Sequence, residues 1–354
     1  MYNLKEFKNV FDPLLNEYID KKIEEFLKTT QDPFIKDFIS YSKKLITGGG
    51  KRIRPYIAYL AYNSFGGKDE DKAIKLFISL ELFHNFCLIH DDIIDKSTTR
   101  HGQKTIHTYV LEKLKESKRT GNLEHIGNSQ AILVGDLLFS WATELFAKNE
   151  DFNIDNLTKA KKYFYKMVDE VILGQIIDVD LSTRENPNWD LIEEKTRLKT
   201  SRYSFVRPMQ IGAIVANINY DMDDFFENLG TKLGIAFQIQ DDLLDIIGNP
   251  KEIRKTPLID IVEHQHTFFT NFIFRNGSKY QKEYFNEIFG KEIPKEKENK
   301  IRNLFIESGA IDAGRKIIKE NLGEAKKLIE NSKLKNEYKQ KFLELIVLIE
   351  ERQS

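Results

Sequence analysis

The sequence predicts an all-α protein built as a single domain over residues 1–354. Apolar residues recur at helical spacing along nearly its whole length. No run of any length alternates as a strand does, and no proline interrupts the stretch between Pro55 and Pro187.

The elements follow in order. Asp12-Pro13 has the form of an N-cap with proline at the first helical position, and Leu14, Leu15, Tyr18, Ile19, Ile23, Phe26 and Leu27 behind it share one helix face. The arrangement repeats at Asp32-Pro33, with Phe34, Ile35, Phe38, Ile39, Leu45 and Ile46, until Gly48-Gly49-Gly50 stops it. A long helix is expected from about 70 to about 98. Its middle, LFISLELFHNFCLI, is apolar on almost every side and so belongs at the centre of the fold. Further helices fit 129–148, 156–181, 190–217, 223–247, 258–275, 298–305, 311–328 and 334–351. The segments 114–128 and 277–300, rich in Lys, Glu, Gly and Asn, read as surface loops.

Composition narrows the function. Hydrophobic residues make up 41% and charged residues 31%, as in ordinary globular chains. With 54 basic and 55 acidic residues, the net charge of -1 gives no reason to expect a nucleic-acid partner. Cys87 is the only cysteine, which excludes an intrachain disulfide and argues against a thiolate zinc site. The N-terminus MYNLKEFKNVFD lacks a signal peptide's apolar core. No stretch of about 18 apolar residues is seen, so no transmembrane segment is expected and the cytoplasm is the default location.

One pattern occurs twice. Residues 88–95 read LIHDDIID and residues 239–246 read IQDDLLDI. Residues three and four apart share a helix face, so Asp91, Asp92 and Asp95 project together, as do Asp241, Asp242 and Asp245. A single such motif is as readily an acidic stripe as a site. Two of them, each set among leucines and isoleucines, are costly unless paired or bound to metal. Facing each other they would suit magnesium, which takes carboxylate and phosphate oxygens and keeps several waters.

These residues resemble the trans-isoprenyl diphosphate synthases, or polyprenyl synthetases, from about residue 40 to about residue 330. The first aspartate-rich motif is Asp91-Asp92-Ile93-Ile94-Asp95; the second is Gly234-x-x-Phe237-Gln238-x-x-Asp241-Asp242-x-x-Asp245. The resemblance implies a helical bundle of the isoprenoid synthase type around a central cavity. It also implies a homodimer, and three magnesium ions bridging the two motifs and the substrates, isopentenyl diphosphate and an allylic diphosphate (dimethylallyl, geranyl or farnesyl). In Gly49-Gly50-Lys51-Arg52-Ile53-Arg54-Pro55, read alone as a helix C-cap and solvated charge, the family would place Lys51 and Arg54 on isopentenyl diphosphate with His84. Arg100 would reach the allylic diphosphate. Lys199-Thr200 matches the family's Lys-Thr pair, Lys199 meeting the leaving diphosphate while Thr200 and Gln238 face the carbocation. Gln175 and Asp178 match a cavity-lining motif, and Lys255 a diphosphate-binding lysine.

The chain departs from the family twice. His101 stands where a second arginine is usual, and Gln265 where a lysine is usual. Histidine is only partly charged at neutral pH, so isopentenyl diphosphate should bind more weakly, or better at lower pH. The implied reaction loses diphosphate, forms an allylic cation and adds isopentenyl diphosphate across it, with released diphosphate as the base. Phe86 and Cys87, five and four residues before Asp91, resemble the geranylgeranyl type, with Phe83 reinforcing the cavity floor. Farnesyl diphosphate is the competing product. A class I terpene cyclase is disfavoured by the second DDxxD. A non-catalytic subunit of a heteromeric synthase is disfavoured by retention of all the motif aspartates.

Overall fold

The computed structural model describes residues 1–185, 187–218, 221–248 and 257–351. It is all-α apart from one short hairpin. Its residues gather into two compact units, one of 1–158 with 214–217, the other of 159–213 with 218–354.

The first unit holds α1 (Leu4–Leu27), α2 (Pro33–Thr47), α3 (Ile53–Ser64), α4 (Glu70–Ile94), α5 (Ile106–Glu116) and α6 (Leu123–Ala147). Helix α4 is its core, and α6 lies along it. As its apolar circumference predicts, α4 is buried on successive residues, Leu76 to Phe83 without a break. Helix α6 buries Gly127, Ala131, Val134, Leu138, Trp141 and Ala142, one face at three- and four-residue spacing. Strands β1 (Thr99–Arg100) and β2 (Gln103–Lys104) pair antiparallel. The turn between them, His101-Gly102, has φ of 52° and 75°, the two positive values that a type I′ hairpin turn requires.

The second unit takes most of α7 (Ile154–Leu181), then α8 (Trp189–Thr196), a π-helical segment Arg197–Val206, and most of α9 (Arg207–Val215). It continues with α10 (Asp223–Ile247), α11 (Ile259–Val262), α12 (Phe268–Asn276), α13 (Lys279–Ile288), α14 (Glu298–Glu307), α15 (Ala310–Asn331) and α16 (Asn336–Glu350). Helix α10 is the centre, packed between the π segment and α15.

Several boundaries depart from expectation for local reasons. Helix α1 begins at an Asn3–Glu6 capping box, not at Asp12, and Pro13 lies inside it. The buried face Phe7, Phe11, Leu15, Ile19 and Ile23 runs straight through the proline, so packing outweighs the lost hydrogen bond. Asp12 instead accepts from Arg52 Nε at 2.8 Å. Asp32 does cap α2, accepting from the Phe34 and Ile35 amides. The expected loops at 114–128 and 277–300 each contain helix. Asn122 caps α6 earlier than foreseen, and a Ser278–Gln281 capping box starts α13, whose apolar face is only Phe285 and Ile288. Helix 258–275 is broken between α11 and α12, where His264 has φ 58°. By length and composition α4 and α6 each pass the test for a membrane-crossing helix, a weak signal that a buried core helix also gives; two-thirds of the α4 window is buried inside the protein.

Candidate active site

In the first unit the aspartate motif lies on the last turn of α4, with Asp95 as its C-cap. The three carboxylates are not equivalent. Asp92 is buried, and Arg100 of the hairpin holds its Oδ1 through Nε at 2.7 Å and Nη2 at 2.6 Å. Burial pushes the Asp92 carboxyl up to about 6, against the pull of Arg100. Asp91 and Asp95 are half-buried on the more open side. Gly49 makes room for His101: a Cβ there would stand 2.8 Å from the imidazole Cδ2.

The Gly-rich basic stretch divides by role. Arg52, in the left-handed region at φ 56°, turns inward. It is buried, and donates to Glu81 Oε1 at 2.5 Å, to Asp12, and to the Thr47 carbonyl at 2.9 Å. It therefore anchors the loop, while Lys51 is exposed and Arg54 half-buried beyond it. His84 lies in the field of Arg54, Arg100, Arg52 and His101; burial first, and these cations next, hold its pKa well below the usual imidazole range. It is thus a neutral hydrogen-bonding group rather than a charge. Below the motif, Phe83 and Phe86 stack at 5.5 Å, and both meet Phe139 of α6, at 5.8 and 5.4 Å. His90 touches Phe86 at 4.5 Å and donates to the Ile132 carbonyl; Gly135 gives it space. Cys87 is half-buried. Phe139 and His90 escaped the sequence reading because aromatic residues on an apolar helix carry no motif.

In the second unit the π segment presents Lys199 and Thr200. It is pressed between α7 and α10 at glycines: a Cβ on Gly174 would lie 2.7 Å from the Lys199 amide nitrogen, and one on Gly234 2.3 Å from Ser201 Cα. π-helical turns widen the helix and are frequent at functional sites. Lys199 Nζ bonds Asp178 Oδ2 at 2.7 Å. Lys195, unmentioned by any motif, forms an ion pair with the other oxygen at 3.0 Å and donates to the His266 carbonyl at 2.9 Å. Burial alone would raise the Asp178 carboxyl; the two ammonium groups outweigh it and hold it well below the carboxylate range. Gln175 is half-buried one turn before Asp178.

A chain of polar bonds leads to the second aspartate motif. Thr200 Oγ1 donates to Gln238 Oε1 at 2.6 Å, and Gln238 Nε2 donates to Asp242 Oδ1 at 2.7 Å. Asp242 is buried, and burial, with Asp260 and Asp241 beside it, pushes its carboxyl well above the usual range. Asp245 accepts from the Ile259 and Asp260 amides at 3.1 and 3.2 Å, capping α11. Asp241 is half-buried. Gln265 is half-buried in the turn before α12, and Lys255 lies outside the described residues.

Behind the π segment is a buried ionic network that sequence reasoning missed. Arg207, 1% exposed, grips Glu170 bidentately at 2.7 and 2.6 Å. Arg202 of the π segment bonds Glu170 at 3.1 Å and Glu227 at 2.7 Å.

Among the described residues no group of three or more His, Cys, Asp or Glu side chains converges to hold a metal alone. Carboxylates on each motif's open side, lacking a complete sphere, fit a hard cation whose remaining ligands are water and phosphate.

The sequence matches the Polyprenyl synthetase family over residues 36–306. It is 33% identical over 318 residues to a geranylgeranyl pyrophosphate synthase of Geoglobus acetivorans, covering 88% of this chain and 89% of that one. It is 31% identical to a short chain isoprenyl diphosphate synthase of Methanocaldococcus jannaschii, over 81% of each chain. The solved geranylgeranyl pyrophosphate synthase of Corynebacterium glutamicum, complexed with isoprenyl diphosphate and magnesium, superposes with a TM-score of 0.92 at 27% identity, over 99% of this chain and 100% of that one.

Proposed function

Since the chain belongs to the polyprenyl synthetase family and is a prenyltransferase, we propose that it condenses isopentenyl diphosphate head-to-tail with an allylic diphosphate, using magnesium. The observation that carries this reading is the repetition of one arrangement in both units. An aspartate motif closes a buried helix, with a cation set in the same unit: Arg54 and Arg100 in the first, Lys195 and Lys199 in the second. The family match spans both units, which supports a single polyprenyl synthetase domain.

Asp91, Asp95 and Asp241 are the proposed first contacts for three magnesium ions. Asp92, Asp242 and Asp245 belong to the same proposed magnesium-binding set; in the structure they are also held by Arg100, Gln238 and the α11 amides, which supports their positioning. When bound, magnesium stabilises charge growing on the departing diphosphate. Lys199, Arg100 and, from the sequence, Lys255 add fixed positive charge there. Lys51, Arg54 and the neutral His84 hold isopentenyl diphosphate, with His101 standing where the family has a second arginine. Thr200, whose Oγ1 donates to Gln238, and Gln238 itself face the developing allylic cation. No side chain is assigned as base; the released diphosphate takes the proton. A C20 product is favoured by the Phe83–Phe86–Phe139 cluster, and by the geranylgeranyl synthase relatives. Farnesyl diphosphate is the alternative, and the cytoplasm the proposed location.

The test is incubation of the purified chain with magnesium, labelled isopentenyl diphosphate and each allylic starter, followed by sizing of products. A C20 product lost with chelator or in Asp91→Ala is expected. A product of another length keeps the prenyltransferase and discards C20; folded protein inactive with every starter favours a non-catalytic subunit.

A further inference from the structure

Lys195 has no part in the reading above beyond its charge, yet it is among the least exposed lysines of the site. Its side chain is 11% exposed, that of Lys199 27% and that of Asp178 8%. A buried ammonium is costly unless its protons are satisfied. Here the His266 carbonyl accepts one of them at 2.9 Å, and Asp178 Oδ1 supplies the opposite charge as an ion pair at 3.0 Å. The His266 carbonyl belongs to the residue next to Gln265, where the family resemblance leads one to expect a lysine.

The charge arithmetic is simple. Lys199 with Asp178 alone would be a neutral pair, and a neutral pair offers a diphosphate no net attraction. With Lys195 on the second carboxylate oxygen, the trio carries a net charge of +1. Lys195 also keeps Asp178 paired when Lys199 turns to a ligand, so that movement strands no buried carboxylate. We propose that Lys195 is a positioning residue of the diphosphate site, restoring next to residue 265 the positive charge that Gln265 withholds and releasing Lys199 from Asp178 to the leaving diphosphate.

This rests on the proposed prenyl transfer, and the test separates the two. Binding of inorganic pyrophosphate with magnesium is measured by calorimetry, alongside KM and kcat for the allylic substrate, in wild type, Lys195→Met, Lys195→Arg and Lys195→Met/Gln265→Lys. Removing one nearby charge in a partly buried site is expected to weaken pyrophosphate binding about tenfold or more. It should raise the allylic KM while leaving the KM for isopentenyl diphosphate unchanged. Lys195→Arg and the double variant should recover most of the loss, which a merely structural lysine would not do at position 265. If Lys195→Met folds and binds pyrophosphate like wild type, or if Gln265→Lys rescues nothing, the inference is wrong while the prenyltransferase reading stands. If wild type neither binds pyrophosphate with magnesium nor turns over, that underlying reading fails instead.

Discussion

At the scale of single residues, neighbours in sequence do unlike work. Arg52 and Arg54 are two apart; one is buried against Glu81 and Asp12, the other is half-buried beside His84. Phe86 illustrates a residue whose partners set its effect. It stacks on Phe83 and meets Phe139, so Phe86→Ala removes one ring of the three proposed to floor the cavity. Products longer by at least one isoprene unit are expected by chromatography; an unchanged product would move the floor elsewhere. His266 makes a different prediction. It is fully buried, donates to the Arg184 carbonyl, and burial lowers its pKa to about 4. The unfolded chain therefore takes up this proton first as pH falls. The contribution is whole above about 6.5 and is lost between about 6.5 and about 4, by about 3 kcal/mol. Urea midpoints measured from pH 7.5 to 4.5 should fall more steeply in wild type than in His266→Gln.

At the scale of elements, the π segment matters most. It exists where α7 and α10 offer glycines, and the Arg207–Glu170–Arg202 network braces it from behind. Glu170→Gln leaves a buried guanidinium without its full counter-charge. The expected cost is about 3 kcal/mol, seen as a lower urea midpoint, with kcat falling further as Lys199 and Thr200 lose their support. An unchanged midpoint would mean that the network braces nothing. The helix boundaries teach a related lesson. Capping boxes at Asn3 and Ser278 were written in the sequence, but polar composition at 277–300 and the Asp12-Pro13 pair drew attention away from them.

At the scale of the molecule, each unit exposes apolar helix surface. Helix α6 leaves Ile132 and Leu133 open at 42% and 60%, and α7 leaves Ile172, Ile176 and Val179 at 44%, 60% and 45%. We propose that a second copy covers exposed apolar helix surface of this kind, as the family resemblance implies. Sedimentation should then give a dimer for wild type, and Leu133→Glu should shift it toward monomer. A monomeric wild type at micromolar concentration would overturn the proposal.

The sequence by itself determined the helical class, the buried character of α4, the two aspartate motifs and the Lys-Thr pair. These are set by periodicity and by charged residues placed among apolar ones, which local chemistry makes costly. Only the tertiary structure shows partners that the aspartates take from other elements. Asp92 is claimed by Arg100, Asp242 by Gln238 and Asp245 by the α11 amides, partners that spacing along a helix does not name. It also shows that Lys195 joins Lys199 on one carboxylate and that Phe139 packs against Phe83 and Phe86. Those contacts join residues on different elements, and their energies depend on burial, which a chain acquires only when it folds.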